Sequence, residues 1–191
     1  MEIGVLALQG DFIEHFNILK SLGVNPKLVK LPKDLESLQG LIIPGGESTT
    51  IGKLATAYAL MSPLRQFGQS HAIWGTCAGA IFLSKDVARE QPLLELMDIQ
   101  VERNAFGRQS DSFEIDLTAP FLKNGESKPY HAVFIRAPII KSVSGQAEVL
   151  LTLPDGRIVA AQQGKFLATS FHPELTSDTR FHQYFLELTK S

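Results

Sequence analysis

Cysteine occurs once in the chain, at Cys77 in the stretch WGTCAGAIF, with Gly75 and Gly79 two positions away on either side. An apolar run enters this G-x-C-x-G pattern and another leaves it. The pattern copies a strand-turn-helix nucleophile elbow, with Cys in place of Ser. Glycines at 75 and 79 let the backbone turn sharply and the next helix pack close. Such a turn lifts the sulfur out of the sheet, and the helix N-terminus favours a thiolate. The N–H of Ala78 is placed to serve an oxyanion hole. The competing reading is a buried, inert thiol, which is common for free cysteine. The flanking glycines and the strand-to-helix position favour the nucleophile.

A thiolate nucleophile needs a base, and the base needs a group to orient it. Five histidines are available. His15 falls in an early helix, His71 just before the Cys77 strand, His131 near a strand start and His182 in the last helix. Each of these reads as a surface or partly buried residue. His172 differs because it stands in SFHPELT. Pro173 biases it toward extended backbone, where residues two apart point to the same side. Glu174 is therefore expected to hold one ring nitrogen of His172 and free the other for Cys77. The plainer reading of H-P-E is a strand end leading to a helix.

The third chemical element is LIIPGGESTT. Gly45 and Gly46 at a strand end allow backbone to approach a ligand, and the peptide between them can turn an N–H toward a developing oxyanion. Glu47 can receive a substrate ammonium. A phosphate-binding loop is the rival, but G-K-[ST] and G-x-G-x-x-G are both absent from this stretch, and a glutamate there repels phosphate.

These groups need a scaffold, and the first half of the chain alternates strand and helix. IGVLALQG, PKLVKL, GLIIPGG and HAIWG read as strands. DFIEHFNILKSLG, a segment from Ser48 to about Met61 capped by Ser48, SPLRQFGQS and AGAIFLSK read as helices. In the first helix Phe12, Phe16, Leu19 and Leu22 fall near helical spacing. Alternation of this kind implies a parallel sheet covered on both faces. The second half is strand-rich: DIQVERN, SFEIDL, AVFIRA, EVLLTL, RIVAAQQ and KFLATSF, with turn chemistry in LPDGR and QQGK. SDTRFHQYFLELTK returns to helix, with Ser177 as its cap. The expected fold is one α/β domain over residues 1–191, an open, mostly parallel sheet with helices on both faces and additional antiparallel strands in the C-terminal half.

With 191 residues and 44% apolar content the chain can bury a proper core. A net charge of -2 gives no electrostatic footprint for nucleic acid. A lone cysteine cannot form an internal disulfide, which points to a reducing compartment. The N-terminal apolar run lacks a basic leader, and no apolar run approaches the roughly 20 residues of a membrane helix. A cytoplasmic protein is expected. No cluster has metal-ligand spacing.

PGGEST, GTCAGA and SFHPEL, in this order, resemble the class I glutamine amidotransferases. GVLALQGDFIEH, LIIPGGESTT, VERNAFGRQSDSFE, VFIRAP and GRIVAAQQGKFLATSFHPELT are similar more narrowly to the glutaminase subunits of ribose-5-phosphate-dependent pyridoxal 5'-phosphate synthases, nearly end to end. The resemblance implies Cys77 as nucleophile, His172 as base and Glu174 as its orienter, acting on L-glutamine through a glutamyl thioester. It places Gly46, Glu47, Ser48, Arg103, Ile135 and Arg136 at the substrate, with Gly46 and Ala78 at the oxyanion. It implies no cofactor for this chain, pyridoxal 5'-phosphate being the product. The implied partner is a TIM-barrel synthase subunit in a large hetero-oligomer, with the glutaminase activated on docking. Two other readings share the fold: another cysteine hydrolase, which need not bind glutamine, and a regulatory subunit that binds without turnover. The second is expected to lack a triad member, and all three are present.

Overall fold

The computed structural model of the chain describes residues 1–88, 90–103 and 112–190. In chain order, the first half runs β1 (Glu2–Leu6), α1 (Phe12–Ser21), β2 (Asn25–Val29), β3 (Gly40–Ile43), α2 (Ser48–Ala57), α3 (Met61–Gly68), β4 (Ala72–Thr76) and α4 (Ala78–Leu83). The second half runs β5 (Ser84–Asp86), β6 (Met97–Glu102), β7 (Ser112–Leu117), β8 (Tyr130–Ile135), β9 (Ile139–Val143), β10 (Glu148–Thr152), β11 (Ile158–Gln163), β12 (Phe166–Thr169) and α5 (Arg180–Leu188). Short 3-10 turns cover Pro32–Leu35 and Pro173–Leu175.

Among the described residues, the main sheet has the order β2-β1-β3-β4-β12-β11-β9-β6-β5, with β10 added beside β11. β2, β1, β3, β4 and β12 are all parallel. The direction reverses at β11, and the β11, β9 and β6 pairings are antiparallel. A separate hairpin pairs β7 with β8, Leu117 opposite Tyr130. The parallel half follows from near-continuous apolar strands such as GLII and AIWGT, every residue of which is buried.

Alternation along the strands splits the core into two layers. Leu41, Ile43 and Ile73 pack with Ile51, Leu64 and Phe82 under α2, α3 and α4. Ile42 and Trp74 face the other way, onto Leu19 of α1 and Phe181 and Phe185 of α5. Helices thus cover both faces. Among the described residues no helix is long and apolar enough to cross a membrane.

Several local expectations change. The helix expected from Ser48 to about Met61 stops at Ala57, with Ala59 at φ +56°, and the helix expected in SPLRQFGQS starts one residue earlier, at Met61. Ser48 is the first residue inside α2; the cap is Glu47, whose carboxylate accepts the Thr49 and Thr50 N–H groups. At α5 the cap position is Thr179 rather than Ser177. AGAIFLSK is helical only to Leu83, after which Ser84–Asp86 pairs as an edge strand with β6. IIKSV forms β9, a strand that its composition did not announce.

Candidate active site

The parallel strands deliver three loops to one end of the sheet. Residues 7–11 follow β1, residues 44–47 follow β3, and Cys77 follows β4. Cys77 sits between β4 and α4 with φ +48° and ψ -109°. A non-glycine residue there costs on the order of 1–3 kcal/mol. Burial of Ile81, Phe82 and Leu83 in the helix that follows contributes about 1.5–3 kcal/mol each and outweighs it. Gly79 is required for that packing, since a Cβ there would lie 1.9 Å from the Ile43 carbonyl oxygen. The Cys77 N–H donates to Thr169 O at 2.8 Å, which ties the turn to β12. Ala78 holds the first position of α4, where helix geometry leaves the backbone N–H without an intrahelical acceptor.

His172 arrives from β12. Its backbone N–H donates to Val133 O of β8 at 2.8 Å, and its ring nitrogen Nδ1 lies 2.6 Å from Glu174 Oε1. The Cys77 side chain is near enough to the ring to raise its basicity. The imidazole thus has Glu174 on Nδ1 and the Cys77 side chain nearby, each of the three less than a tenth exposed. The route to this pairing differs from the extended strand expected from Pro173. His172 has φ -104° and ψ 86°, and Glu174 lies inside the 3-10 turn that Pro173 starts. Proline here is the first residue of a helical turn, a position its fixed φ suits.

Burial alone would lower the basicity of His172; the neighbouring Cys77 and Glu174 reverse this and raise its pKa to about 11. Burial likewise opposes charge on Glu174, but the nearby His15 and His172 hold its carboxyl well below the usual carboxylate range. Asp11 Oδ2 stands 3.7 Å from His172 Nδ1, and its pKa is raised by burial and by the Glu174 charge. Ligand atoms of Asp11, His172 and Glu174 lie within 4.8 Å of one another. Two of these three residues are the imidazole–carboxylate pair, whose Nδ1 is already engaged by Glu174.

The diglycine closes over the imidazole. A Cβ on Gly45 would lie 2.7 Å from His172 Cε1. Gly46 has φ +150°, and a Cβ there would meet Gln9 Oε1 at 2.4 Å. The Gly45 carbonyl accepts the Asp11 N–H at 3.1 Å, and the Glu47 N–H donates to Gln9 Oε1 at 2.6 Å.

The α2 end gathers Glu47, Ser48 and Arg103. Besides capping α2, Glu47 accepts from Arg103 Nη2 at 2.9 Å. Partial burial works against its charge, but hydrogen bonds from Thr50 and Thr49 prevail and lower its pKa to about 2. Arg103 Nη1 also donates to Thr49 Oγ1 at 3.1 Å and Gln91 Oε1 at 3.2 Å. Ser48 is buried, its Oγ 3.3 Å from Gln91 Nε2. Ile135 and Arg136 end β8 beyond Val133, both exposed, with Arg136 at φ +46°. Positions 104–111 of the VERN-x-FGRQ-x-DSFE block lie outside the described residues.

His15 and His182, expected from the sequence to be surface or partly buried, are both fully buried, with His15 against Glu174 and His182 against His15. The available signal was the spacing of His15 and Leu19, four apart and together forming the buried face of α1. Gln9 and Gln91 carried no local signal, since each acts on a loop distant in sequence.

Comparison with known proteins bears on this arrangement. A family model described as the SNO glutamine amidotransferase family matches residues 5–191. The chain is 58% identical to pyridoxal 5'-phosphate synthase subunit PdxT of Herpetosiphon aurantiacus, covering 98% of this chain and 100% of that one. It is 52% identical to the protein of the same name from Moorella thermoacetica, over 98% of this chain and 99% of the relative. Among solved structures, a crystal structure of a glutamine amidotransferase superposes with a TM-score of 0.92 at 51% identity, over 99% of both chains. The structure of PurLQS from Thermotoga maritima shares the fold at 16% identity, with a TM-score of 0.68 over 97% of each chain.

Proposed function

The chain belongs to the SNO glutamine amidotransferase family, and on that premise we propose that Cys77, His172 and Glu174 hydrolyse L-glutamine to glutamate and ammonia. The observation that carries this reading is the meeting of Cys77, His172 and Glu174 at the strand-to-helix turn. The Cys77 thiolate attacks the side-chain amide carbon of glutamine. The carbonyl electrons move onto oxygen, where the N–H groups of Gly46 and Ala78 receive them. As the oxyanion collapses, His172 gives its proton to the amide nitrogen, the C–N bond breaks and ammonia leaves. A glutamyl thioester remains. Water then attacks the thioester while His172 takes one of its protons, and C–S cleavage returns the thiolate and releases glutamate. Glu174 keeps the imidazole oriented and stabilises its charge. Each step is complete without a metal or an organic cofactor.

Around this centre, Arg103, Glu47, Ser48, Ile135 and Arg136 form the glutamine pocket. The fork of Arg103 suits the substrate α-carboxylate, and Glu47 suits its ammonium. The ammonia goes to a TIM-barrel synthase subunit that joins it with ribose 5-phosphate and glyceraldehyde 3-phosphate to make pyridoxal 5'-phosphate. Support for this partner comes from the name shared by relatives at half identity and above.

The diglycine is the proposed gate. Its carbonyl is held by the Asp11 N–H and the next N–H by Gln9. Reorienting the Gly45–Gly46 peptide requires exchanging the Asp11 contact, and docking of the synthase supplies the free energy for it.

Exchange of Cys77 for Ala tests the centre: glutamate release should vanish while the circular dichroism spectrum stays that of the parent. Glutamate produced at the parental rate would overturn the scheme.

A further inference from the structure

Glu174 addresses His172 with one carboxylate oxygen only. The other, Oε2, is buried, and no group meets it in good hydrogen-bond geometry. The nearest donor is His15 Nε2, 3.3 Å away, with both side chains fully enclosed. An unpaired carboxylate oxygen in such a place is costly, and a positioned N–H relieves it.

His15 is itself held from behind. Its Nδ1 is hydrogen-bonded to His182 Nε2 at 2.9 Å, and its Nε2 to Thr76 Oγ1 at 3.3 Å, so Thr76 and Glu174 flank that nitrogen at equal distance. His15, Thr76 and His182 are all inaccessible to solvent. Trp74 closes the nest edge-on, 5.7 Å from His15 and 4.9 Å from His182 between ring centroids. Burial drives the His182 pKa well below its ordinary value, so this ring is neutral and carries one proton. Its Nδ1 has no partner. A proton on Nε2 leaves only a lone pair unsatisfied there, which is the cheaper orphan. That Nε2–H then donates to His15 Nδ1, and an Nδ1 that accepts leaves Nε2, the atom that faces Glu174, to carry the His15 proton.

We propose that His15 is a positioning residue: His182 fixes its tautomer, and its Nε2–H holds the second oxygen of Glu174 so that the first stays on His172. The inference rests on the triad reading above, extending it by one layer. Besides His15, the titratable groups that act on Glu174 are His172, Asp11, His182 and Tyr130.

The direct test needs no substitution. Nitrogen-15 NMR of the histidine-labelled full chain should find His15 as the Nε2–H tautomer; a His15 protonated on Nδ1 alone overturns the proposal. Two variants add function. With the synthase present, His15→Leu should lower kcat roughly tenfold or more. Its KM should stay within about twofold of the parent, since the lost contact does not touch substrate. The pH profile of Cys77 alkylation by iodoacetamide, read without glutamine, should shift in the same variant. His15→Gln, which keeps an N–H near the Nε2 position, should recover most of both. Equal losses in the two variants with an unmoved alkylation profile mean that His15 only fills space, and overturn it. Failure of the triad reading is separate: it shows as turnover by the Cys77→Ala protein, whereas the tautomer is read without turnover.

Discussion

A buried imidazole ordinarily loses its proton. His172 keeps one because Cys77 and Glu174 stabilise its charge more than burial opposes it. The consequence for stability has a definite sign. The folded pKa of His172 lies above its ordinary 6.5, so its contribution is complete below that pH and is lost as pH climbs toward about 11. Glu174 runs the other way: held below its ordinary 4.5, it contributes above that pH and loses the contribution as pH falls further. The pair therefore supports the fold best between about 4.5 and 6.5. Calorimetric melting temperatures of the parent and of Glu174→Gln, measured across pH, should differ most in that window and converge outside it. That His172 and Glu174 meet was legible from their spacing. The 3-10 turn that brings them together was not, because Pro173 constrains both its predecessor and itself, and the turn geometry is settled by burial of Pro173 and Glu174.

Two helices carry the site's geometry by their N-termini. At α2 the capping group is a glutamate that also holds Arg103. Glu47→Ala should cost about 1 kcal/mol in urea unfolding, the usual value for a lost N-cap. It should also raise KM for glutamine more than it lowers kcat, since Arg103 loses its ion-pair partner. At α4 the constraint is contact: the Ile43 carbonyl occupies the place a Gly79 side chain would take. Gly79→Ala should lower stability by roughly 3 kcal/mol or more, visible as a reduced urea midpoint. The strand-turn-helix around Cys77 was readable because an apolar run, two glycines and a second apolar run all agree locally. Ser48 misled because serine is a favoured cap type, whereas the longer carboxylate one position earlier reaches the same N–H groups. β9 was missed because IIKSV is short and its partners, β6 and β11, lie far away in sequence. His15 was missed because the inward face of α1 was assigned from apolar types, and the structure turns an imidazole inward instead.

At the scale of the molecule, parallel strands β1, β3 and β4 end side by side, and their loops supply Gln9, Gly46 and Cys77 to one mouth. The strand-helix alternation of the first half dictated that parallel core. The antiparallel extension was legible only as a supply of strands, because their pairing order depends on long-range packing. With the diglycine tied down in the isolated chain, glutamate release should be slow alone and rise on addition of the synthase. Supplying both sugar phosphates should then yield pyridoxal 5'-phosphate. Equal rates with and without the partner would rule out the gate. The single tryptophan of the chain gives this event an optical handle. Trp74 lies three residues before the sulfur, enclosed between the two inner imidazoles and the rings of Phe181 and Phe185. In the free protein all indole emission therefore originates beside the strand-to-helix turn of Cys77, and a change in its intensity or colour registers rearrangement there without any attached label.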